Sequence, residues 1–153
     1  MREILFRGQD IKGNWHIGLL CHMRNAWYIS NSAGVATAYE VIPKTIGQYT
    51  GFIDKNGAKI FEGDIIQYID VEGYYPEEKS EFIGKIVFES GAFGIGTIDN
   101  IPINLDDWCA NDNFVSLWEL DWNLGVGNEM LHMIEVIGNI HDNFCLYYDK
   151  SNA

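Results

Sequence analysis

Ten short runs rich in strand-forming residues recur along the chain, and turn signals separate them. The runs are Ile4–Phe6, Trp15–Leu20, Ala26–Ser30, Tyr39–Ile42, Ile60–Phe61, Asp64–Ile69, Phe82–Glu89, Phe93–Ile98, Phe114–Leu120 and Met130–Ile140. Between them stand Lys12-Gly13-Asn14, Asp54-Lys55-Asn56-Gly57, Ser90-Gly91 and Gly125-Val126-Gly127-Asn128. Short runs closed off by such turns describe an all-β sandwich or barrel. Sixteen glycines against three prolines fit tight turns better than stiff linkers. Aromatic residues make up 14% of the chain, and flat rings pack well on a pleated sheet.

The clearest local signal is Asp54-Lys55-Asn56-Gly57. Asp opens a type I turn and Asn-Gly accepts the left-handed conformation that follows. It is expected to close a hairpin between Gly51–Ile53 and Ala58–Phe61. Helix is scarce. Asn104–Ala110 reads as one or two turns with Asn104 as cap, and His141–Tyr148 as another short helix. Val71–Ser80 is charged and broken by Gly73 and Pro76, so it reads as a long, mobile hairpin loop inside one domain. A chain of 153 residues, 47% hydrophobic and 21% charged, fits a single globular domain spanning 1–153.

Cys21, Cys109 and Cys145 are odd in number and widely spaced, as expected of reduced thiols in a cytoplasm. Ile4-Leu5-Phe6 is too short for a secretory apolar segment, and no run approaches membrane-spanning length. The net charge of −12 is uneven. Residues 1–60 carry seven Lys/Arg and four Asp/Glu, net +3; the remainder carries three and eighteen, net −15. The acidic part repels phosphate backbones and anionic lipid, and it favours solubility or a basic protein partner.

One stretch resembles a known family. Val41-Ile42-Pro43-Lys44-Thr45-Ile46-Gly47-Gln48-Tyr49-Thr50-Gly51-Phe52-Ile53-Asp54-Lys55-Asn56-Gly57-Ala58-Lys59-Ile60-Phe61-Glu62-Gly63-Asp64-Ile65-Ile66 looks like the signature of the YopX family of phage and prophage proteins. Ile4–Gly8 with Gly13–Gly18, Gly84–Phe88 and Glu135–Asn143 match the family's opening, middle strand and closing motif in order. The resemblance implies a phage or prophage origin and a mixed β barrel or pseudobarrel. It implies no biochemical activity. The residues themselves give structural readings: Gly63 supplies an unusual backbone angle, Asp64 bonds nearby amides, and Gly47 and Gly51 mark a bulge or a close approach.

Residues capable of chemistry do not fall into a motif. His16, His22, His132 and His141 with the cysteines match no zinc spacing, and Cys21 and His22 are adjacent, hence on opposite faces of a strand. Asp54–Gly57 lacks the remaining oxygens of a calcium loop. Gly91-Ala92-Phe93-Gly94-Ile95-Gly96 lacks the Lys-Ser/Thr of a phosphate loop and reads as a strand of small residues against a close neighbour. A triad of Cys21 with a His and an Asp depends on geometry alone. Asp99, Asp106, Asp107 and Asp112 read as a solvated acidic loop. Of the tryptophans, Trp108, Trp118 and Trp122 lie in the acidic part and only Trp15 and Trp27 lie near bases, so core packing outweighs base stacking.

The sequence thus assigns no catalytic, cofactor or metal residue. It points to a non-catalytic accessory module that acts on a host or phage protein, the partner being basic or DNA-binding. Self-association is compatible with barrel edges. The alternatives are a nucleic-acid-associated protein, an acidic DNA mimic and an uncharacterised enzyme.

Overall fold

In a computed structural model of the chain, residues 2–30, 37–69, 81–97, 114–123 and 130–148 are described. The loop read at 71–80, the helix read at 104–110, the acidic residues Asp99, Asp106, Asp107 and Asp112, and the turn at 125–128 lie outside them. The described residues are mainly β, as the recurring short runs require. The backbone falls into two compact units, Met1–Gly51 and Phe52–Ala153.

The first unit holds β1 (Phe6–Gln9), β2 (Trp15–Met23), β3 (Ala26–Ser30), β4 (Ala38–Val41), a 3-10 turn (Pro43–Thr45) and the start of β5 (Gly47–Asp54). These strands pair antiparallel in the order β5-β1-β2-β3-β4. β2 runs three residues beyond its apolar run and turns through Arg24 and Asn25, both at positive φ, into β3. That two-residue loop has the left-handed pair of a type I′ turn, whose twist suits antiparallel strands. The sheet curls. Gly8 stands so near Val41 that a Cβ on it would lie 2.9 Å from the valine Cβ, and Ile42 N donates to Gln9 O at 2.8 Å. Gln9 N then donates to Thr45 Oγ1, which in turn donates to Ile42 O. Leu5, Ile29, Val41 and Tyr49 are its buried apolar side chains.

The second unit holds the rest of β5, β6 (Lys59–Phe61), β7 (Asp64–Ile69), β8 (Glu81–Glu89), β9 (Ala92–Gly96), β10 (Phe114–Ser116), α1 (Leu117–Asn123), β11 (Met130–Leu131), β12 (Ile134–Asn139) and α2 (Phe144–Tyr148). One sheet runs β10-β9-β8-β7-β12, all antiparallel. β6 and β11 flank β5, β11 in parallel. The core is one cluster, including Ile60, Ile66, Tyr68, Ile86, Ile95, Leu117 and Leu131, each at most 2% exposed. Truncating such a side chain to Ala costs about 2–5 kcal/mol.

Three expectations are corrected. Met130–Ile140 is not one strand: a turn at His132 and Met133 divides it into β11 and β12. The sheets do not close into a barrel. Closure needs the first and last strands to pair along their length; here β10 is three residues long and runs straight into a helix. The run Phe114–Leu120 is a strand only to Ser116. Ser116 Oγ accepts from Glu119 N at 3.2 Å and donates to Glu119 Oε2 at 3.3 Å. This is an N-terminal capping arrangement, and it stops the strand. Gly94 bears out the reading of small residues against a close neighbour: a Cβ there would lie 2.4 Å from the Phe114 ring.

Candidate functional site

The signature residues that look most like ligands bond to the backbone instead. Asp54 is 1% exposed. Its Oδ1 accepts from Asn56 N at 2.8 Å and Ala58 N at 2.9 Å, and its Oδ2 accepts from Val136 N at 3.0 Å. Asp64, also buried, accepts from Phe61 N through Oδ2 at 2.7 Å, beside Gly63 at φ +86°. The expected hairpin and turn are therefore both present. The closing motif meets them: β12 pairs with β7, and Ile140 N donates to Gly63 O at 2.9 Å. The signature is a frame in which carboxylates organise turns.

The first unit carries two exposed groupings, one on each face of β2. Along β2, alternate residues face opposite ways. The inner face of the curl carries His16, Gly18, Leu20 and His22, with Ile29 and Val41 buried on the neighbouring strands. The outer face carries Trp15, Ile17, Leu19, Cys21 and Met23. Arg7 lies over the Trp15 ring, 4.9 Å from its centroid, a favourable cation–π contact. Beyond it Ile17, Leu19 and Met23 are 52%, 52% and 53% exposed. Three large apolar side chains on alternate positions of one strand make a stripe rather than scattered singles.

On the inner face, His16 Nε2 lies 2.9 Å from Asp10 Oδ2. Asp10 also accepts from Lys12 N, Asn14 N and Asn14 Nδ2. The bond from His16, then that from the Asn14 amide, hold the Asp10 carboxyl well below the usual carboxylate range. The His16 ring stacks on Tyr39, centroids 3.9 Å apart and planes 10° from parallel. A carboxylate-oriented imidazole is the beginning of a general base. The Cys21, His and Asp triad is not assembled, because Cys21 faces away from both His16 and His22; His22 packs on Trp27 instead.

Sequence reasoning missed the pairing of His16 with Asp10 and Tyr39. Asp10 to Gly13 repeats the spacing of Asp54 to Gly57, which was the available signal. Elsewhere Cys145 is exposed on α2, and His132 lies in the turn between β11 and β12. Among the described residues no group of three or more His, Cys, Asp or Glu is placed to hold a metal ion, and no helix is long and apolar enough to cross a membrane.

No curated protein matches this chain. The family model described as YopX protein matches residues 20–146. That match covers most of the sequence, from β2 through the turn-forming Asp54 and Asp64 to the closing motif and α2, and the chain therefore belongs to the YopX family.

Proposed function

We propose that this chain is a non-catalytic accessory module of a phage or prophage, working in the bacterial cytoplasm by binding a host or phage protein through the outer face of β2. The observation that carries the reading is the stripe Ile17, Leu19 and Met23, each about half in solvent on one face of a single strand. Burying such side chains against a partner contributes about 25 cal/mol for each Å² of apolar surface removed from water. The net charge of −12, whose negative excess lies in residues 52–153, steers a basic partner, DNA-binding proteins included, toward the molecule, while the stripe supplies the apolar contact.

The test is affinity capture from host lysate with and without nuclease, with wild type beside an Ile17→Asp/Leu19→Asp variant. A stoichiometric protein that survives nuclease and is lost with the variant supports the reading. Capture that is unchanged by the variant removes β2 as the contact. Light scattering on the same two proteins shows whether the stripe instead joins copies of this chain.

A further inference from the structure

The inner face of the first unit carries a second surface, distinct from the apolar stripe and of different chemistry. Tyr39 is 42% exposed although one face of its ring is covered by His16. The rest of the residue supplies that exposed surface. The pair is held rigidly. His16 is fixed by Asp10, and Asp10 is fixed by two backbone amides and one side-chain amide of its own loop. An exposed ring backed by a parallel ring is a platform on which another flat ring can continue the stack.

Cations flank it. Lys12 is exposed on the loop that Asp10 organises, two residues from the carboxyl that holds His16. Lys44 is exposed on the 3-10 turn. That turn is tied beside the end of β1 by the bonds Ile42 N to Gln9 O and Gln9 N to Thr45 Oγ1. Both lysines thus rise from fixed backbone near the end of β1, beside the loop whose Asp10 holds His16. Residues 1–51 hold five Lys/Arg against three Asp/Glu, net +2, whereas residues 52–153 hold five against nineteen, net −14. A phosphate chain is drawn to the first set and repelled by the second.

We propose that Tyr39, backed by His16 and with Lys12 and Lys44 on the adjoining loop and turn, is a base-stacking site for single-stranded nucleic acid. Stacking on an aromatic face with lysines on the backbone is how strands are held without sequence preference. The strand must be single, because a duplex keeps its base faces covered.

The test is fluorescence anisotropy with a short fluorescein-labelled oligothymidylate at low salt, followed by a salt titration. Wild type binds, and binding weakens as salt rises. Tyr39→Ala weakens it about tenfold or more, as loss of one stacked base does, while Tyr39→Phe retains it. Lys12→Ala/Lys44→Ala weakens binding and flattens the salt dependence. This variant, at two exposed positions, carries the test if circular dichroism shows Tyr39→Ala misfolded. Absence of binding at low salt, equal binding by the lysine variant, or equal affinity for a duplex overturns the proposal. Displacement by equimolar thymidine monophosphate also overturns it, in favour of a mononucleotide pocket.

Discussion

The hairpin loops at Asp10 and Asp54 follow the same local rules and differ in what their second carboxyl oxygen does. In each, the first oxygen accepts the amides two and four residues on: Lys12 and Asn14 in one, Asn56 and Ala58 in the other. In each, the Asp amide bonds the carbonyl four residues on, at 3.0 Å and 2.8 Å, and a glycine at positive φ, Gly13 or Gly57, donates to the Asp carbonyl at 3.0 Å. The second oxygen of Asp10 is spent locally, on Asn14 Nδ2 and His16. That of Asp54 reaches Val136 in β12. The neighbouring residue reinforces this tie: Lys55 N donates to Ile134 O at 3.0 Å, and Lys55 Nζ lies 2.5 Å from Glu135 Oε2. One Asp closes a loop that remains near solvent; the other closes the same loop and anchors a distant strand. The turn code and the tertiary tie are separable.

The largest break in this likeness is expected at Asp54. Asp54→Ala removes two acceptor oxygens and the three bonds they take, and strands the Val136 amide; the expected loss is about 3–5 kcal/mol in urea unfolding, from the usual worth of such hydrogen bonds and the penalty of a buried orphan. Asp54→Asn keeps the local acceptor but presents an NH₂ to Val136, so about half of that loss is expected. If the two variants were equally damaging, the local and distant roles would not be separable.

Glycine sharpens the comparison. Gly13→Ala and Gly57→Ala both force a Cβ into left-handed backbone with nothing within 4 Å to clash. Each is expected to cost about 1–2 kcal/mol, and the two costs should agree. A large inequality would show that the loops are not alike.

The smallest effect belongs to Asp10. Its folded-state carboxyl titrates below its unfolded value, so the stability it contributes is present above the ordinary Asp range and is lost as pH falls through about 4 and below. Acid unfolding of wild type and Asp10→Asn should therefore converge in that window, and NMR should place the Asp10 carboxyl below free Asp. A constant gap across the window would contradict the assigned cause.

Local chemistry was the legible part of this chain. The Asp54–Gly57 turn, the Gly63-Asp64 turn, the Ser90-Gly91 turn and the last short helix could all be read from neighbouring residues. The helix at Leu117 was also written locally, in Ser116 and Glu119, but the β-forming Phe114, Val115 and Trp118 hid it. Arg24-Asn25 escaped because Arg is not a turn residue; the flanking strands hold it left-handed. Whether the sheets close, and that His16 meets Tyr39 across 23 positions of sequence, depend on curl and on strand length, which no short window contains.

The bond from Val136 N to Asp54 Oδ2 joins residues 82 apart in the chain. Closing so long a loop costs entropy that only an assembled sheet can offset. The hairpin at Asp54 can close on its own in microseconds, but the tie waits for β12 to arrive. It is therefore expected to form late, after the folding barrier has been crossed. Its main effect is kinetic: it slows the escape of a strand already in place, and its loss speeds unfolding while leaving the rate of folding nearly unchanged.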